Sequence, residues 1–103
     1  MNLRYWTVLP LLAGGALAHA HNAICDCFDN GDDTITCEGG FSDGSPASGT
    51  PVRVIDGDGK VLIDGAMNEK SEFTFKKPAV VFRVEFDAGE GHVVQIDGRD
   101  IEE

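Results

Sequence analysis

Three histidines and three cysteines are the side chains of this sequence whose types and spacing could do chemistry. His19 and His21 stand two residues apart near the start, and His92 follows the string Gly89-Glu90-Gly91. A chain cut after Ala20 would begin at His21, whose α-amino nitrogen and imidazole can hold one ion together. A third nitrogen from His92 would complete a T-shaped site suited to Cu(II) or Ni(II). A cut after Ala18 would leave His19-Ala20-His21, and a histidine at the third position of an amino terminus binds square-planar Cu(II) or Ni(II) through deprotonated backbone amides. The plainer reading stays open beside this: His19 as a chance member of a leader, His21 as a loose terminal residue and His92 as an ordinary strand histidine.

Cys25, Cys27 and Cys37 fall within 17 residues of Ala20. Cys-x-Cys can chelate soft Cu(I) or Zn(II) as thiolates. Outside the cytoplasm the better expectation is a bridge from Cys25 or Cys27 to Cys37, contributing about 2–4 kcal/mol to a small domain and leaving one thiol over. Asp56-Gly57-Asp58-Gly59-Lys60 resembles the opening of a calcium loop, but Lys60 stands where a third acidic ligand belongs and no Glu closes the loop. The sequence carries no Ser in a nucleophile elbow, no histidine paired with an evident nucleophile and no glycine-rich phosphate loop ahead of a helix. It is therefore not expected to be an enzyme, and no organic cofactor is expected.

The elements that must position these groups begin after a leader. Arg4 is the only early charge, followed by the apolar run from Tyr5 to Ala13 and by small residues ending Ala18-His19-Ala20. That order is the one a secretory signal has, which predicts a signal peptide over residues 1–20 and a periplasmic or secreted domain over residues 21–103. The apolar run is far shorter than the ~20 residues a bilayer span needs, so no membrane span is expected after cleavage. Removing the leader takes Arg4 with it and leaves seven basic residues against eighteen acidic. A field of that sign repels nucleic acid and anionic lipid and attracts cations.

Beyond His21 the chain is punctuated by glycine and aspartate, with short Val, Ile, Thr and Phe-rich stretches between. Segments 23–28 and 34–41 flank an Asn30-Gly31 turn, and segments 51–56 and 60–64 flank Gly57-Asp58-Gly59; both read as hairpins. Phe73 and Phe75, then Phe82, Val84 and Phe86, alternate with polar or smaller neighbours as half-buried strands do. A last run over 92–96 sets His92, Val94 and Ile96 on one face. Six or seven short strands without helical periodicity predict an all-β fold, a small antiparallel β-sandwich. Residues 42–48 read as a polar loop and residues 97–103 as a charged, fraying tail.

Four stretches carry a resemblance: Phe41-Ser42-Asp43-Gly44-Ser45-Pro46, Val52 to Gly59, Phe73-Thr74-Phe75, and Asp87-Ala88-Gly89-Glu90-Gly91-His92. Together they make the chain resemble the small exported β-sandwich proteins that accompany nickel and cobalt uptake transporters of the energy-coupling type. More broadly, it is similar to carboxypeptidase-regulatory-like, transthyretin-like domains. The resemblance covers about residues 38–94 and implies a metal-handling accessory protein that binds Ni(II), Co(II) or Cu(II) near its amino terminus, with a membrane transporter component as partner. It departs from the pattern at Ser71, where such domains end an acidic turn in Gly; a different backbone geometry is expected there. The competing expectation, of another class, is a metal-free interaction or structural sandwich that contacts a partner protein.

Overall fold

The computed structural model describes residues 22–103; the expected leader, with His19 and His21, lies outside the described residues. Seven strands follow in order: β1 (Ala23–Asp29), β2 (Thr34–Phe41), β3 (Pro51–Asp56), β4 (Val61–Ala66), β5 (Glu72–Lys76), β6 (Phe82–Asp87) and β7 (Val93–Asp97). They form a three-stranded sheet in the order β1-β2-β5 and a four-stranded sheet in the order β4-β3-β6-β7, with every pairing antiparallel. The expected antiparallel β-sandwich is the fold.

Turn chemistry sets the registers. Between β1 and β2, Gly31 (φ 80°) and Asp33 (φ 74°) take left-handed backbone. Asp29 Oδ1 accepts from the Gly31 N–H and Asp32 Oδ1 from the Thr34 N–H, so the aspartates build the turn with their own side chains. The β3–β4 turn uses the same device: Asp56 Oδ1 accepts from the N–H groups of Asp58 and Lys60, and Gly59 has φ 87°. A carboxylate oxygen so occupied shapes the loop, in line with its departure from a calcium-loop pattern.

Period-two alternation then sends one face of each sheet inward. Cys25, Ile35, Cys37 and Phe75 come from one sheet, and Val52, Val54, Phe82, Val84 and Phe86 from the other. Ala47 and Met67, from the crossovers, fill the space between them. Two glycines let aromatic rings lie directly on strand backbone: a Cβ at Gly39 would stand 2.7 Å from the Phe86 ring, and one at Gly65 only 2.5 Å from Phe73. A register shift between Val54 and Ile55 lets both of these neighbours be buried, which strict alternation forbids.

Two expectations are corrected. The carboxyl-terminal segment does not fray: a 3-10 turn over Gly98–Asp100 returns it to the sandwich, Ile101 packs on the core, and the Glu102 carbonyl accepts from the Asp29 N–H at 2.9 Å. The tail thus crosses from the β7 edge of one sheet to the β1 edge of the other and occupies a group that an edge strand would leave unpaired. At Ser71 the backbone is not of another geometry. It has φ 61°, the left-handed conformation that glycine favours, and the side chain repays the strain by accepting the buried Ala47 N–H on Oγ at 2.8 Å.

Candidate functional site

The turn from β6 to β7 is held open by its own ends. The Ala88 N–H donates to the His92 carbonyl (3.1 Å) and the His92 N–H to the Gly89 carbonyl (2.8 Å), while Asp87 Oδ1 accepts from the Gly89 N–H. Gly89 (φ 111°) and Gly91 (φ 80°) supply conformations that a side chain would strain. His92 closes this turn and is exposed, one residue before β7 begins. It therefore does not share the half-buried face of Val94 and Ile96, because the turn bonds fix its backbone before strand pairing starts at Val93. Beneath the turn, Arg53 joins Glu85 (2.8 Å) and Asp87 (3.4 Å); hydrogen bonding to Glu85 first, and to Asp87 second among its partners, holds the guanidinium more firmly protonated than usual.

At the same end of the sandwich, β1 begins. The Asn22 N–H donates to Ser42 Oγ and the Ser42 N–H to the Asn22 carbonyl, both at 2.9 Å. Ala23 pairs with Phe41, and Phe41 lines a shallow hollow with Asp87, Ala88 and Gly89. Residue 22, the neighbour of His21, is thereby fixed at the end that carries His92.

The cysteines lie deeper. Cys25 and Cys27 are two apart on β1 and face inward together, and Cys27 stands directly opposite Cys37 on β2. Cys27 and Cys37 form the disulfide, with a Cα separation of 4.0 Å. Of the two pairings left open by the sequence, this is the one made, and Cys25 remains a buried thiol. Burial first, and the nearby Asp26 carboxylate second, push this thiol up to about 12. The three sulfurs all lie within 4.8 Å of one another, and no His, Asp or Glu among the described residues joins the group. The alternation of β1 was the signal for this grouping: residues i and i+2 share a face, so Cys25 and Cys27 both turn toward Cys37 and the register decides which one meets it.

Away from both places, Val80 and Val81, 55% and 65% exposed, sit beside Leu62 and Pro78 on the β5–β6 crossover. Among the described residues no helix is long and apolar enough to cross a membrane. Comparison of the chain with protein-family models, curated proteins and solved structures finds no match.

Proposed function

We propose that the chain is an exported metal-handling protein that binds one divalent transition ion, Ni(II), Co(II) or Cu(II), through His92 and the histidine-bearing amino terminus, and serves a membrane uptake transporter as an accessory. The observation that carries this reading is the Asn22–Ser42 pair of hydrogen bonds at the His92 end of the sandwich. A chain cut after Ala20 would carry a single residue, His21, ahead of the anchored Asn22, whose end of the sandwich also bears the turn with the exposed His92. Nitrogen donors of this kind suit borderline ions, and the acidic surface raises the local concentration of cations without selecting among them.

Mass spectrometry of the exported chain, followed by calorimetric titration with Ni(II), Co(II) and Cu(II), tests the reading. The mature chain should begin at His21 or His19 and bind one ion. His92→Ala should weaken binding by about tenfold or more, whereas Asp58→Ala, on a solvated turn, should leave it unchanged. Because a ligating imidazole must be neutral, affinity should fall as the solution is acidified. Equal losses for the two variants would reduce the binding to diffuse electrostatics and end the proposal. The exposed Val80–Val81 crossover favours the second reading, an interaction module whose apolar loop meets a partner protein.

A further inference from the structure

We propose that the reduced chain binds one Cu(I) ion through the thiolates of Cys25, Cys27 and Cys37, and that formation of the Cys27–Cys37 disulfide closes this site. The site is separate from the histidine end and does not depend on it.

Its geometry is already assembled. Three sulfurs each about 2.3 Å from one ion stand about 4 Å apart. Here all three lie within 4.8 Å of one another, and the two strands that carry them are paired in fixed register. Opening the bridge must separate the Cys27 and Cys37 sulfurs, which moves that pair toward the required spacing, and side-chain rotation of Cys25 covers the remainder. Cys25 faces Gly39 across the ladder, where the Phe86 ring and the Met67 methyl pack over the glycine, so its rotation is confined to the side of Cys27 and Cys37.

The surroundings choose the ion. Cys37 is wholly buried, Cys25 is nearly so, and the cluster belongs to a core of Ile, Val, Phe and Met side chains. Hard cations need oxygen ligands, and none is present in the group. Zn(II) in a closed site takes four ligands, and among the described residues no His, Asp or Glu supplies the fourth. Cu(I) is soft, prefers thiolates and is satisfied by three. Cys27 is only half-buried and lies on the edge strand β1, which provides the way in and lets solvent reach the charge left on the thiolate-bound ion.

The redox step balances with a dithiol as reductant. The dithiol gives two electrons and two protons to the Cys27–Cys37 bond and leaves as its own disulfide, and Cys27 and Cys37 become thiols. Cu(I) then replaces one proton on each of the three sulfurs, so binding strengthens as pH rises.

The test is an anaerobic titration of the full chain, reduced with dithiothreitol and freed of it, against Cu(I) held by bicinchoninate. One Cu(I) per reduced chain should be withdrawn from the chelator, and the oxidised chain should withdraw none at this site. Cys25→Ala leaves the bridge partners intact and should weaken Cu(I) binding by about tenfold or more; Cys27→Ser should do the same, and His92→Ala should leave it unchanged. Equal affinity of wild type and Cys25→Ala, or equal competition by the oxidised chain, overturns the proposal. Should reduction unfold the sandwich, Cu(I) must restore the strand signal in circular dichroism for the wild type and fail to do so for Cys25→Ala; a reduced chain that stays unfolded with Cu(I) overturns it as well.

Discussion

Ser71 separates two effects that usually come together. Its backbone is left-handed, at φ 61°, and its hydroxyl accepts the N–H of Ala47, a residue 1% exposed. Ser71→Ala keeps the strained backbone and orphans that N–H, which costs about 1–3 kcal/mol, centrally about 2. Ser71→Gly orphans the same N–H but removes the Cβ, and a left-handed residue with a Cβ carries about 1–2 kcal/mol of strain. Against that gain, glycine loosens the unfolded chain by about 0.4–1 kcal/mol, leaving a net recovery of about 0.5–1 kcal/mol over alanine. Stability should therefore fall in the order wild type, Ser71→Gly, Ser71→Ala, in steps of about 1 kcal/mol. For a domain of this size each step moves the melting temperature by about 4–8 °C. Far-ultraviolet circular dichroism in urea is the suitable assay, because the only Tyr and Trp of the sequence, Tyr5 and Trp6, fall in the expected leader. A Ser71→Gly chain as stable as wild type would refute the value assigned to the Ala47 bond. A Ser71→Ala chain as stable as Ser71→Gly would refute the strain.

Three further outcomes are expected. Removing the bridge with Cys27→Ala and Cys37→Ala together frees a loop whose ends are 10 residues apart, which should cost about 3 kcal/mol and lower the melting temperature by about 12–24 °C; a shift of a few degrees would contradict the loop-closure account. Gly65→Ala should destabilise by about 1–3 kcal/mol or more, because its Cβ would meet the Phe73 ring at 2.5 Å, while Gly57→Ala, with open space and no positive φ, should stay within about 0.5 kcal/mol in the same denaturation assay. Cys25 should resist iodoacetamide in the native oxidised chain and react once the chain is unfolded. Since its pKa is raised from 9.0 to about 12 on folding, the stability it lends is complete below pH 9 and should drain away as pH rises from 9 through 12, a loss that Cys25→Ala should abolish.

The strands were legible because each buries one face against the other sheet, and burial writes period-two alternation into the sequence: Phe82, Val84 and Phe86 inward, Arg83 and Glu85 outward. What alternation cannot supply is register. Cys25 and Cys27 share a face, so either could meet Cys37 until the turn is counted. Five residues, Asn30 to Thr34, separate Asp29 from its partner Ile35, and stepping away from the turn along both strands brings Cys27, not Cys25, opposite Cys37. The docked tail was illegible for a different reason. A run of Asp, Gly, Arg and Glu looks solvated, and its anchoring rests on one apolar side chain, Ile101, and one backbone bond from Asp29. His92 was misassigned to a strand face because its place depends on turn bonds made by backbone atoms, which leave no mark on side-chain pattern.

The first strand ties the two proposed chemistries together. It starts where Asn22 is anchored at the His92 end, and three residues later it delivers Cys25 into the core, a travel of about 10 Å at the usual rise of a strand. Nitrogen donors at the exposed end suit a divalent ion in contact with water. Sulfur donors beneath the sheet suit a monovalent one screened from it. Copper is the one ion considered for both proposed sites, as Cu(II) outside and Cu(I) within, and only the inner site is gated by a disulfide. A chain whose work is with nickel or cobalt would use the histidine end alone, and its bridge would then be a staple and nothing more. Comparing ions at the two sites therefore decides the class of cargo: tight Ni(II) binding lost in His92→Ala with no Cu(I) taken up on reduction assigns the chain to nickel. Copper binding that moves from the His92-dependent site to the Cys25-dependent one on reduction assigns it to copper, because only an ion that changes both charge and ligand preference can follow the bridge.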